Sequence, residues 1–139
     1  MFMKPIQYEV LQEVIKLGEH RAKLETQLGN HFEIISLQDL SDLNKSDSSL
    51  EREIELLSKQ ITSTFRALNL DEILEIQAIM YLGLYQNYDH EASTDRILKE
   101  QLKETGHGSD PEVEIKQIVD KDMFHKYLLD GCKILHIVL

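Results

Sequence analysis

The sequence predicts an all-α, single-domain fold of about six helices, with a long N-terminal antiparallel pair and shorter helices around a buried central one. Three observations carry this. Apolar residues recur at spacings of four and three along most of the chain. Ser48 with Glu51, and Asn69 with Glu72, have the spacing of capping boxes, in which side chains satisfy the first free amides of a helix. A length of 139 residues suits one domain with a core of its own.

The first helix is read from Val10, Val14, Leu17, Leu24 and Leu28, with Arg21 standing where the series expects an apolar residue. Its expected limits are Pro5, tolerated in a first turn, and the pair Gly29-Asn30 as a stop. The second is expected to start at Ser48 and carries Leu50, Ile54, Leu57, Ile61, Phe65 and Leu68. Residues 1–68 then form the antiparallel pair and 69–139 a C-terminal helical subregion. The connection, with Ile34, Ile35, Leu37, Leu40 and Leu43, is too apolar for a plain loop and is expected to form a short helical turn covering one end of the pair.

The third helix is expected from Asn69 or Leu70 and is apolar on every side from Ala78, the pattern of a buried centre. Gly83 inside it signals close approach of another backbone, or the start of the helix end. Ala92 to Thr105, closed by Gly106, reads as a peripheral fourth helix with Ile97, Leu98 and Leu102. Gly106 to Asp110 is the clearest loop. Pro111 opens a fifth helix with Val113, Ile115, Ile118 and Val119, and Asp120 to Asp122 breaks it. A sixth carries Phe124, Leu128, Gly131 and Leu135.

Charge and composition exclude several classes of function. The chain has 25 Asp plus Glu against 15 Lys plus Arg, a net charge of −10, which argues against a nucleic-acid partner. Cys132 is the single cysteine, so no disulfide framework exists and a reducing, cytoplasmic location is expected. No signal-peptide core is found near the start. The longest apolar stretch, Ala78 to Tyr85, is eight residues, so no membrane span is expected.

Metal-like spacings arise readily among six histidines and 25 carboxylates, so each is tested for complete ligation. Asp42, Asn44, Ser46 and Glu53 approach a calcium loop, but Asp47 holds the place of the required glycine. His90-Glu91 begins like a zinc-protease motif, but Thr94 follows where a second histidine must stand. Glu104 with His107, and Asp122 with His125, mimic the carboxylate and histidine pairs of di-iron bundles and are the metal candidates, with Gly106 interrupting the first pair. Cys132 reads as a small buried hydrophobe, and no glycine-rich phosphate loop is present. No catalytic residue and no cofactor is expected.

Interaction candidates are better marked. Tyr81, Tyr85 and Tyr88 would share one face if the third helix extends that far. Ile137, Val138 and Leu139 must be packed or form an interface. Asp71 to Asp95 holds six acids and no Lys or Arg, so −6 of the net charge lies in 25 residues. Those acids, Asp89 and Glu91 among them, either complement helix starts or face a basic partner.

The run Leu68-Asn69-Leu70-Asp71-Glu72-Ile73-Leu74-Glu75-Ile76-Gln77-Ala78-Ile79-Met80-Tyr81-Leu82-Gly83, with Tyr127-Leu128-Leu129 and Gly131 further on, resembles DUF3775, a bacterial family of uncharacterised small domains. The likeness spans residues 68–135. It departs at Gly83-Leu84-Tyr85-Gln86, where the family tends to continue Gly-Arg-Gly-Asp. It implies a fold segment and neither activity nor site residues.

The function expected is a small intracellular adaptor or regulator that binds a protein partner or itself, as a homodimer, through the tyrosine face or the apolar C-terminal end. An acidic inhibitor or immunity-type protein is one alternative. The other, a small metal-dependent or ligand-binding enzyme, needs three converging side chains among Glu104, His107, Asp122, His125, His90 and Glu75.

Overall fold

A computed structural model describes the backbone of residues 3–33 and 40–139 and the side chains of 3–29 and 48–139. It places six helices and no strand among the described residues: α1 (Pro5–Glu33), α2 (Leu40–Phe65), α3 (Leu70–Tyr85), α4 (Thr94–Thr105), α5 (Pro111–Val119) and α6 (Phe124–Ile134). The all-α fold is as the spacing predicts.

α1 and α2 pack antiparallel. Arg21 of α1 meets Ser58 of α2, and Glu13 lies across a shallow groove from Thr64. Two expected boundaries are overturned. α1 continues through Gly29 and Asn30, because glycine there keeps a helical, negative φ; it raises the helix's cost by about 1 kcal/mol without ending it. Ser48 is no cap, since α2 already begins at Leu40. Leu43 stands seven residues before Leu50, so the apolar period carries the helix upstream past the capping signal. Of the expected connecting turn, residues 40–43 belong to α2, and residues 34–39 lie outside the described residues.

α3 is the centre of the body. Asn69 and Glu72 form the predicted reciprocal capping box, each side chain accepting from the other's backbone N–H at 2.9 Å. Ile73, Ile76, Ala78, Ile79 and Met80 are fully buried, and α1, α4, α5 and α6 all pack against the helix. Its start is tied to α1 by Gln7, whose amide donates to Glu75 Oε2 at 3.2 Å and to the Glu72 carbonyl at 3.4 Å.

α6 lies antiparallel across α3 at the two glycines. A Cβ on Gly83 would sit 1.8 Å from the Tyr127 carbonyl oxygen, and one on Gly131 would sit 2.0 Å from that of Ile79. The helices therefore meet backbone to backbone, as Gly83 signals in the sequence. α6 ends in a left-handed residue, His136 (φ 57°), which lets Ile137 N–H reach Cys132 O at 2.8 Å and His136 N–H reach Lys133 O at 3.2 Å. This pair of bonds is a Schellman turn with histidine where glycine usually stands.

α4 starts at Thr94 behind its N-cap Ser93, two residues later than expected, and packs mainly on α3 through Ile97, Leu98 and Gln101. α5 opens as predicted, with Asp110 capping Glu112 N–H at 3.0 Å before Pro111 in the first turn. Val113, expected in the core, is 49% exposed, because Ile115, Ile118 and Val119 already fill the inward face of so short a helix.

Replacing Gly83 by alanine forces two backbones apart, so we expect a loss of about 3 kcal/mol or more in unfolding free energy. Denaturant titration checks it. Gly29→Ala, in open space, is the control and should gain about 1 kcal/mol.

Candidate functional site

The most developed polar feature is a strip along the α3–α5 contact. On α3, Gln77, Tyr81 and Tyr85 stand four residues apart on one line; Glu114 and Gln117 of α5, with Lys121 in the turn after it, face them. At the buried end the Gln77 amide donates to Glu114 Oε2 at 2.6 Å and to Gln117 Oε1 at 3.3 Å. Gln77 is 1% exposed and its Oε1 finds no partner among the described residues. Gly108 of the loop before α5 presses on the Glu114 carboxylate, where even a Cβ would not fit. At mid-strip the Lys121 ammonium lies 5.9 Å over the Tyr81 ring. Burial pushes the Tyr81 phenol above its usual range, and the neighbouring Tyr85 and Glu114 add to this. At the outer end Tyr85 stacks on Tyr81 with ring centroids 5.9 Å apart and planes at 12°, and is 66% exposed.

Tyr88 does not join this face. α3 stops at Tyr85, and the left-handed Gln86 (φ 52°) redirects the chain, so Tyr88 packs instead on His90 with centroids 4.3 Å apart.

The carboxylate and histidine candidates are not brought together. Glu104 is exposed at the end of α4 and His107 in the following loop, while Asp122 is exposed before α6 and His125 is buried in its first turn. Among the described residues no three His, Cys, Asp or Glu side chains are grouped to hold a metal ion. The calcium-like run from Asp42 to Glu53 lies within α2, and a helix cannot fold back its ligands as that loop must. Glu75, half-buried at the start of α3, is bonded by Gln7, and burial raises its carboxyl above the ordinary range. His90 sits in the turn before α4.

Three of the six acids of the 71–95 segment lie at helix starts. Glu72 completes a capping box and pairs with Lys4 at 3.6 Å, Asp71 and Asp95 lie in first turns, and Asp89 accepts from Glu91 N–H at 3.0 Å. Asp89 and Glu91 are both exposed. At the C-terminal end Ile137 packs on the core, whereas Val138 is 92% and Leu139 41% exposed.

Arg21, the misfit in the α1 series, is 8% exposed and joins four helices. It donates to Val119 O at 2.7 Å and Ser58 Oγ at 3.0 Å, pairs with Glu25 at 3.2 Å, and lies 5.1 Å over the Phe124 ring. A cation on the last carbonyl of α5 also suits that helix's dipole. Gln77, Glu114 and Lys121 were not singled out by the spacing. The one available signal was polarity inside apolar helices: Gln77 between Ile76 and Ala78, and Glu114 beside Ile115. Compared with protein-family models, curated proteins and solved structures, the chain matches none.

Burial in the last turns of α6 pushes the Cys132 thiol up to about 12. The folded protein should therefore resist a disulfide reagent in mildly alkaline buffer, with roughly a thousandfold less thiolate than an ordinary cysteine. Full reaction is expected in denaturant, and fast native labelling would contradict the burial.

His125 packs edge-on to Phe124 with centroids 6.4 Å apart. Burial lowers its imidazole below the ordinary value, with Arg21 acting the same way and Glu19, Asp122 and Glu25 opposing. A depressed folded value means stability is present above the unfolded value, about 6.5, and lost as pH falls through the folded one. We expect His125→Asn to flatten that part of the unfolding free energy profile, measured by denaturant titration from neutral pH downward.

Proposed function

We propose that the protein is a protein-interaction module that binds through the Tyr81–Tyr85 face, a homodimer being the simplest form. The observation that carries this is the stacked pair itself. Tyr81 is anchored on the core and held beneath Lys121, and the pair ends in an exposed ring at Tyr85. A preformed aromatic surface loses little side-chain freedom on binding, and its hydroxyls can stay wet while the rings are covered. Tyrosine is enriched among the residues that dominate interface energies. Met123, 39% exposed two residues beyond Lys121, supplies further apolar area in the same turn.

The groove between α2 and α5 holds about 790 Å³, a size that suits small ligands. Its charged lining is paired, Lys59 with Glu55 and Lys116 with Asp120 along single helices and Arg66 with Glu112 across the groove. No helix among the described residues is long and apolar enough to cross a membrane.

Sedimentation equilibrium on the wild type and Tyr85→Ala, into the millimolar range, tests the reading. We expect a dimer that Tyr85→Ala weakens at least tenfold, about 1.4 kcal/mol, with thermal unfolding of the dilute monomer unchanged because the ring is exposed. A wild type that remains monomeric, or a dimer indifferent to Tyr85, removes the homodimer through this face.

A further inference from the structure

α2 and α5 wall a slot that neither the core nor the tyrosine face uses. Arg66, just past the end of α2, donates from Nε and Nη2 to the Glu112 carboxylate at 2.9 and 3.1 Å and ties the walls together at one end. At the other end Arg21 of α1 donates both to Ser58 on α2 and to the Val119 carbonyl on α5. From Ser58 to Arg66 the helical rise gives a slot about 12 Å long. Between the two ties no hydrogen bond or ion pair crosses from α2 to α5 among the described residues, and the space there holds about 790 Å³. Walls fixed at both ends and open in the middle make a recess that a small molecule enters without having to form it.

The lining states what kind of molecule. Lys59 and Lys116 pair with Glu55 and Asp120 on their own helices, at 3.8 and 4.0 Å. With Arg66 and Glu112 these are all the charges that line the slot, three of each sign, so its net charge is zero. A charged ligand that captured one member of a pair would strand the other, and gains nothing for the water it gives up. Apolar contact is offered by Val113, 49% exposed, by Val119 and by the aliphatic stems of the two lysines. Two half-buried hydroxyls one turn apart on α2 supply a polar handle. Thr62 spends its proton on the Ser58 carbonyl at 2.9 Å, which leaves its oxygen to accept. Ser58 Oγ accepts from Arg21 at 3.0 Å, and its own proton makes no bond among the described residues, which leaves it to donate. One acceptor beside one donor matches a hydroxyl group, which is both.

We infer that the slot between α2 and α5 binds a small neutral molecule with an apolar ring body and a hydroxyl group. The ring lies on Val113 and the lysine stems, short enough to fit between the two ties, while the hydroxyl exchanges hydrogen bonds with Ser58 and Thr62. All three ion pairs stay intact around it.

The slot is separate from the tyrosine face, and the experiment keeps the two apart. Tryptophol, tryptamine and indole acetate carry the same ring and end in a hydroxyl, an ammonium and a carboxylate. Each is titrated into the isotope-labelled full chain, with backbone amide signals followed by NMR. We expect tryptophol to bind saturably, to move the amides of Thr62, Ser63 and Val113, and to bind about tenfold tighter than either charged analogue. Val113→Ser removes apolar contact at an exposed position and should weaken tryptophol about threefold or more with thermal unfolding unchanged. Tyr85→Ala should leave tryptophol binding as it is. No saturable binding of tryptophol, equal binding of a charged analogue, shifts confined to Tyr81 and Tyr85, or indifference to Val113→Ser would overturn the inference.

Discussion

The α3–α6 crossing is the constraint on which the rest of the structure depends. With a carbonyl oxygen from the opposite helix standing where each Cβ of Gly83 and Gly131 would be, the two backbones come closer than any side chain permits. Gly83 costs the helix about 1 kcal/mol, yet each large apolar side chain that closure buries contributes about 1.5–3 kcal/mol, so the contact prevails. Ile79, Met80 and Leu82 on one helix and Leu128 on the other are buried beside it. Fixing α6 against α3 then fixes α1, because Phe124 and His125 at the start of α6 fill the space left by Gly18. The N-terminal pair is seated on the body through that contact.

Arg21 shows how a buried cation can serve this arrangement. Removing a guanidinium from water is costly, and burial here lowers its pKa. That cost is offset by hydrogen bonds to Val119 and Ser58, by Glu25 and by the Phe124 face, with Asp120 and Asp122 adding favourable charge. An apolar residue at this place would continue the α1 stripe but leave the last carbonyl of α5 without its donor. The departure from pattern in the sequence thus marks the point where α1, α2, α5 and α6 converge.

What could be read from the sequence divides along physical lines. Core positions of α3 and α6, and Ile115, Ile118 and Val119 of α5 but not Val113, were legible because burial imposes a period on the residues that bear it. The caps at Asn69, Ser93, Asp110 and Gly106 act within one turn, although only those at Asn69, Asp110 and Gly106 place a boundary as expected. Ser48 and Gly29 misled, since a local stop signal worth about 1 kcal/mol yields when an apolar series continues on both sides of it. The tyrosine face was half legible. Tyr81 and Tyr85 follow from helical spacing, but the exclusion of Tyr88 depends on the left-handed turn at Gln86, a conformation that glutamine does not announce. Gln77, Glu114 and Lys121 come from separate segments, and their meeting is a property of how α5 lies on α3.

Net charge acquires a different meaning once it is placed on the fold. Six acids without a cation between residues 71 and 95 suggest a single negative face. The helix starts divide them instead: Asp71, Glu72 and Glu75 stand at the beginning of α3, and Asp89, Glu91 and Asp95 at the turn into α4. Asp71 and Glu72 in the first turn of α3 and Asp95 in that of α4 offset the partial positive charge of their own helix terminus, so the field these three project is weaker than their number implies. Cations are likewise used locally. On α2, Lys59 pairs with Glu55 one turn back, and Arg66, just past the helix end, suits that terminus and is bound by Glu112 of α5.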